Sequence, residues 1–388
     1  MGRRGTITAL VLGLALAVSA CTADVVPSPL PPSPAATLPG PAYALVPIVS
    51  TGPASVVVGG EEQSLGKRVV EVHWTTDGHL LATRLAHHNG FGYDLDLIDP
   101  ATGEVLASRR TTADVGVTPG AVTVRASLRN RLTVLTPDLE HVSRIQVDKS
   151  AVQTDQLDLY SEFHLYGTPY TLDGVTWVPW GVNSEDDTKT DHGVLRIENG
   201  VAAEALRNQP FVRLQPSSDG AALLAVMQDN GEDESCGGCI VEQTVVELDP
   251  GTGEIAADYG TPPGYTRFWR IEELDKIGNH VVVRYRIGEA GEGAEPAWQT
   301  WIYDGDWRHE TSSDGTRTSW QDGGRLVWRQ TDLGRDEGEG AAFELTWFAT
   351  GSTDGVVLVS GDDPCPRRHD TVLCPFVVPA GSLLPSSS

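Results

Sequence analysis

Few side chains in this sequence are placed to do chemistry. Four cysteines fall in two short pairs, Cys236-Gly-Gly-Cys239 and Cys365 with Cys374. Thiols so spaced support local disulfides, a redox-active Cys-x-x-Cys, or a zinc site in which Cys365, His369 and Cys374 are joined by another cysteine. A redox pair usually opens a helix, whereas Cys236 and Cys239 stand among Asp, Glu and Gly. No His follows Cys239, which excludes covalent haem attachment. Ser64-Leu-Gly-Lys67 has the spacing of a lysine-activated serine. That chemistry needs the serine at a helix start facing a Lys-Thr-Gly strand. The chain has no Lys-Thr-Gly, and 64–67 reads as a loop entering the first strand pair. Gly-x-Ser-x-Gly, His-Glu-x-x-His and phosphate-cradling loop motifs are absent. His87 and His88, at a loop entrance, are the nearest thing to a further metal pair, and no metal or other cofactor is expected. Trp177 and Trp180 flank Pro179; they are expected in the interior, with a binding surface as the alternative.

The elements that must position these residues are strands. Almost no helical periodicity is found. Short β-rich runs recur at 69–74, 80–85, 93–98, 121–126, 132–135, 281–285 and 326–328, separated by Gly, Asp and Pro turns. Asp99-Pro-Ala-Thr-Gly-Glu-Val105 returns as Asp249-Pro-Gly-Thr-Gly-Glu-Ile255, displaced by 150 residues. Each copy joins two strands, and its glycine supplies the positive φ of a tight hairpin. An Asp-Gly turn before an apolar strand precedes both copies, at Asp77-Gly78 and Asp219-Gly220. Strand, Asp-Gly turn, strand, loop, strand, Thr-Gly turn, strand is the order of a four-stranded propeller blade. Hairpin apices near 52, 101, 138, 199, 251, 305 and 352 lie about 50 residues apart, so the 150-residue displacement equals three blades. The expected fold is an all-β propeller of seven four-stranded blades, with six as the alternative. Strands at 43–49 and 54–59 are expected to share a blade with residues near 371–378, which removes open sheet edges.

The 99–105 and 249–255 motifs resemble the WD40/YVTN and quinoprotein-like propellers of bacterial envelopes, a resemblance that spans 43–380 loosely. In quinoprotein repeats a docking Trp follows such a motif. Here Leu106-Ala-Ser108 and Ala256-Ala-Asp258 occupy those positions, and the Trp-Asp dipeptide of WD40 repeats is also missing. No quinone cofactor is therefore expected.

The interval from Asp77 to Asp99 is shorter than that from Asp219 to Asp249, and the excess falls between the second and third strands of the later unit. Segment 229–239 there carries Glu232, Asp233 and Glu234. The same position in other blades holds Glu185, Asp186 and Asp187, then Glu292 and Glu295, then Asp336 and Glu337. In a propeller all such loops emerge on one face, so these carboxylates are expected to form an acidic, mobile rim that attracts cations or a basic partner.

The N-terminus sets the compartment. Arg3 and Arg4 precede an apolar run from 6 to 20, shorter than the ~20 residues that cross a bilayer. Residues 1–20 read as an export signal. Val18-Ser19-Ala20-Cys21 resembles the lipobox of bacterial lipoproteins, which implies cleavage before Cys21 and acylation of its thiol by a palmitate-class chain. Residues 21–42, with seven prolines from Pro27 to Pro41, read as an extended tether; 43–380 as the propeller domain; 381–388 as a disordered tail. With Cys21 acylated, four cysteines remain in an oxidising compartment, and Cys236–Cys239 and Cys365–Cys374 are expected to pair. The formal charge of −25 excludes phosphate-backbone binding to nucleic acid. The function expected is that of a monomeric, lipid-anchored envelope protein, on the extracytoplasmic face of the cell membrane, that presents its propeller as a binding or scaffolding module. Its partner would be an envelope protein or carbohydrate, and the alternative is a propeller hydrolase or lyase acting on envelope carbohydrate.

Overall fold

A computed structural model describes residues 38, 40–47, 52–86, 92–111, 114–126, 130–152, 162–183, 190–207, 211–217, 220–229, 242–263, 270–286, 298–310, 316–330, 343–361, 367–368, 371–372 and 375–381. One 3-10 turn, Lys149–Ala151, is the only helical segment among them.

Seven antiparallel sheets follow one another along the chain. Strands β1 (Ala42–Val46), β2 (Pro53–Val58) and β3 (Glu61–Lys67) belong to blade 1. Blade 2 comprises β4 (Val69–Trp74), β5 (Leu80–Leu85), β6 (Tyr93–Ile98) and β7 (Val105–Thr111). Blade 3 comprises β8 (Val115–Thr118), β9 (Ala121–Ala126), β10 (Arg131–Leu135) and β11 (His141–Gln146). In blade 4 two short strands, β12 (Glu162–Leu165) and β13 (Tyr170–Leu172), share the inner edge of β14 (Val175–Asn183), followed by β15 (Thr190–Glu198) and β16 (Val201–Arg207). Blade 5 is β17 (Phe211–Pro216), β18 (Leu223–Asp229), β19 (Glu242–Leu248) and β20 (Ile255–Gly260). Blade 6 is β21 (Arg270–Ile277), β22 (His280–Arg286), β23 (Trp298–Tyr303) and β24 (Trp307–Glu310). Blade 7 is β25 (Thr316–Gln321), β26 (Gly324–Gln330), β27 (Phe343–Ala349) and β28 (Gly355–Gly361). After a two-stranded ribbon, β29 (Arg367–Arg368) with β30 (Thr371–Val372), the last strand β31 (Phe376–Pro379) returns to β1. The fold is thus the seven-bladed propeller expected.

The repeated turns have repeated hydrogen bonds. In both Thr-Gly turns the glycine amide donates to the aspartate carbonyl at 2.8 Å, from Gly103 to Asp99 and from Gly253 to Asp249. Both glycines have positive φ, 73° and 82°. The aspartate side chain accepts the amide of Ala101 in one turn and those of Gly251 and Thr252 in the other. Those two amides hold the Asp249 carboxyl below the usual carboxylate range. Six of the seven expected apices, from 101 to 352, lie between the third and fourth strands of a blade. The first does not. Residue 52 lies between the second and third strands of blade 1, whose outer turn is Gly59-Gly60.

Apolar clusters fill the seams. Ala44, Val56, Leu80 and Ile98 join blades 1 and 2, and Leu81, Leu95, Val122 and Leu135 join blades 2 and 3. Trp180 lies in the cluster of blades 3 and 4, and Trp177 in that of blades 4 and 5. Val226, Val245, Leu274 and Val283 follow at blades 5 and 6, and Tyr43, Leu326, Trp328 and Trp347 at blades 7 and 1. Between blades 6 and 7 the described residues form no such cluster. There the buried Arg284 donates to Glu273 at 2.5 Å and to Thr300 at 3.1 Å, and Glu273 also faces Arg317 of blade 7 at 3.4 Å.

Seams this close demand missing side chains. A Cβ built on Gly116 of β8 would lie 1.7 Å from the carbonyl oxygen of Pro169, just before β13. Gly116→Ala should therefore force blades 3 and 4 apart and cost about 1–3 kcal/mol or more in denaturant unfolding. Gly120→Ala, where nothing lies within 4 Å of the added carbon, should change stability by less than about 1 kcal/mol.

Candidate functional site

The rim carboxylates Glu185, Asp186, Asp187, Glu232, Asp233, Glu234, Glu292, Glu295, Asp336 and Glu337 lie outside the described residues, as do Cys21, Cys236, Cys239, Cys365, Cys374, His87 and His88. Their flanking strands are described. Each acidic segment joins the second strand of a blade to the third: β14 to β15, β18 to β19, β22 to β23 and β26 to β27. The paired strand ends at these junctions are Asn183 with Thr190, Asp229 with Glu242, Arg286 with Trp298, and Gln330 with Phe343.

Other expectations are corrected. Residues 64–67 are not a loop but the end of strand β3, where Gly66 donates to the Ser64 hydroxyl at 3.2 Å. Exposed alternation (Glu61, Glu62, Ser64 and Lys67 outward, Leu65 inward) marks an outermost strand, and no helix start is present to activate Ser64. Trp177 and Trp180 are both fully buried, as expected of interior residues, and only the alternative of a binding surface falls away. The closing strand is 376–379, whereas 371–372 belong to the separate ribbon. Strand β1 starts at Ala42, and Leu38 packs against the blade 1–2 cluster.

Innermost strands supply a polar set around the ring's centre. On β4, His73 Nε2 lies 3.1 Å from Glu71 Oε1. Burial alone would raise the Glu71 carboxyl, but the hydrogen bond and charge of His73 outweigh it and hold the carboxyl below its usual range. Across the ring, the Tyr170 phenol of β13 is pushed up to about 12, chiefly by burial. It lies within the electrostatic reach of both Glu71 and Arg213 of β17, and Arg213 also donates to the Ile271 carbonyl at 2.9 Å. Among the described residues no group of three or more His, Cys, Asp and Glu side chains is arranged to hold a metal ion.

A second site lies between blades 2 and 3, and the sequence reading missed it. Cross-strand register explains its composition. On the face of blade 2 turned to blade 3, Leu97, Leu95 and Tyr93 stand opposite Ala107, Arg109 and Thr111. On the facing side of blade 3, Val124 and Thr133 align with Arg144, and Ala126 aligns with Arg131. The apolar seam therefore gives way, toward the outer strands, to a cleft of about 190 Å³ lined by Arg109, Arg131, Arg144, Thr111 and Thr133 among others. Arg109 donates to the Leu139 carbonyl at 3.1 Å. The Arg131 Nε and the Thr111 hydroxyl are buried without a hydrogen-bond partner. No described carboxylate forms an ion pair with Arg109, Arg131 or Arg144. The net charge conceals this pocket of the opposite sign; only the alternation of arginines on neighbouring strands could have shown it.

No family model and no curated protein matches the sequence. Among solved structures, the β-propeller domain of the Trilobed protease from Pyrococcus furiosus is similar, with a TM-score of 0.52 at 10% identity over 84% of this chain and 98% of that one. The acylaminoacyl peptidase of Pyrococcus horikoshii aligns with a TM-score of 0.48 at 10% identity, over 84% of this chain and 52% of its own length. A putative TolB from Agrobacterium tumefaciens aligns with a TM-score of 0.36 at 9% identity, over 88% of this chain and 98% of that one. The likeness is one of fold: the chain is a β-propeller. The Pyrococcus furiosus domain is described as having an open velcro topology. In the present ring β31 pairs with β1.

The Glu71–His73 contact has a pH signature. A carboxyl held below its ordinary value near 4.5 adds stability above that value and loses it as pH falls through the depressed one. Urea midpoints of the wild type and Glu71→Gln should therefore differ most above pH 4.5 and converge as pH falls below the depressed value. Glu71 is half-exposed, which limits the gain to about 1 kcal/mol or less. A difference that grows toward pH 3 would contradict the assignment.

Proposed function

We propose that the chain is an exported envelope lipoprotein, acylated at Cys21 and held off the membrane by the proline-rich 21–42 segment, whose propeller is a binding or scaffolding module. Its compartment is the extracytoplasmic face of the cell membrane. The observation that carries this reading is the topology of the acidic segments. All four join second to third strands in the successive blades 4 to 7, so connectivity starts them from one end of the ring. The opposite end carries the Asp-Gly and Thr-Gly turns, closed by short backbone hydrogen bonds. Recognition on such a scaffold falls to the longer connections. Carboxylates gathered there favour a cationic or basic envelope partner, with an attraction that falls as salt rises.

Cell fractionation of Cys21→Ser tests the anchor. The variant should leave the membrane fraction for the medium or the soluble extracytoplasmic fraction, whereas the wild type needs detergent for release. Continued detergent-dependent membrane association of the variant would overturn the lipoprotein reading.

A further inference from the structure

We propose that the cleft between blades 2 and 3 binds a phosphate group. Four arginines line it, Arg109 and Arg110 of β7, Arg131 of β10 and Arg144 of β11, and Arg109, Arg131 and Arg144 share the face turned into the seam from three strands. They do so in a chain with 53 acidic residues against 28 basic ones, yet no described carboxylate pairs with any of the three. Like charges brought together without a counter-charge repel, and the arrangement is stabilised only when an anion joins them.

Two further observations point into the same cleft. Thr111 is only 8% exposed, and its hydroxyl has no partner. The Arg131 Nε is likewise buried and unpaired. Leaving a buried donor unsatisfied costs about 1–3 kcal/mol, so both atoms gain from a ligand that accepts hydrogen bonds. The chemistry of that ligand follows from the donors. Guanidinium forks match the spaced oxygens of phosphate, and three of them balance a dianion better than a single carboxylate. The cleft holds about 190 Å³, against the ~30 Å³ share of one liquid water, which leaves room for a tetrahedral oxyanion and part of whatever it esterifies. The floor of Leu95, Val124 and Leu135 is apolar and buried, so charges at the site are less screened than on the open surface. Nothing in this inference depends on the lipid anchor, and the Cys21→Ser result bears on neither its success nor its failure.

Isothermal titration of the detergent-solubilised full-length protein, with inorganic phosphate and with glycerol 3-phosphate in chloride buffer at constant ionic strength, tests it. Saturable binding of at least one probe is expected, weakening as salt rises. Saturation by inorganic phosphate at equal or higher affinity makes the free ion the ligand; preference for glycerol 3-phosphate makes it a phosphate ester. Arg131→Gln combined with Arg144→Gln should weaken binding about tenfold or more. Arg144 is exposed, so Arg144→Gln alone should fold and still weaken binding severalfold. Thr111→Val should weaken binding while raising the melting temperature of the unliganded protein, because it removes an unsatisfied buried hydroxyl. Arg207→Gln, on the outer strand of blade 4, should leave affinity unchanged. Absence of saturable binding of both probes, or affinity equal to wild type in Arg144→Gln and Thr111→Val, would overturn the proposal.

Discussion

A β-strand leaves a row of amide and carbonyl groups along any unpaired edge, and a sheet packed face to face leaves an apolar face wherever its neighbour is missing. A ring of blades removes both problems only if its first and last blades are one and the same. Here the chain meets that constraint by building blade 1 from both termini. Tyr43, Ala44, Leu45 and Val46 pair in register with Pro379, Val378, Val377 and Phe376. The junction is tied from both neighbouring blades. Gln321 of blade 7 accepts the Ala42 amide at 2.9 Å and donates to the Ala42 carbonyl at 2.8 Å. Trp74 of blade 2 donates its indole N–H to the Val378 carbonyl at 3.0 Å. Tyr43 and Val377 meanwhile complete the apolar cluster shared with blade 7.

What the ring offers for function follows from this closure. With the ends locked, each inter-blade seam is a fixed gap whose lining is decided by strand register. At most seams alternate residues are apolar and the gap is filled. Between blades 2 and 3 the alternation runs outward from Leu97 and Leu95 to Arg109 and Thr111, and the same gap becomes a positively lined cleft. Between blades 6 and 7 it presents Glu273, Arg284 and Thr300, and ionic and hydrogen-bonded contacts take the place of apolar packing. Removing one member of that buried set would leave a charge without its partner, which is costlier than the pair is stabilising.

Much of the fold was legible in the sequence because its signals are local. An Asp-Gly or Thr-Gly turn needs a glycine with positive φ, and Gly78, Gly103, Gly220 and Gly253 all adopt it. Strands such as 80–85 and 93–98 announce themselves through their buried faces. The misread parts lacked that signal. Glu61–Lys67 buries only Leu65, so an outermost strand passed for a loop and the first apex was set at 52 instead of Gly59-Gly60. The candidate site was less legible than the fold. The acidic segments were recognisable by composition. The arginine cleft was not, because Arg109, Arg131 and Arg144 meet only through pairing across three strands and two blades. The polar set at the ring's centre was hidden for the same reason: Glu71, Tyr170 and Arg213 come from three innermost strands distant in sequence.

Closure by β31 is the contact on which the ring depends, and hydrogen exchange of the intact protein followed by mass spectrometry measures it directly. If β31 completes blade 1, peptides covering 42–46 and 376–379 exchange as slowly as those covering the buried strands β18 and β19. They then also share one dependence on denaturant, since all open only when the ring opens. Exchange of 376–379 within seconds, while β18 and β19 stay protected, would contradict the closed ring.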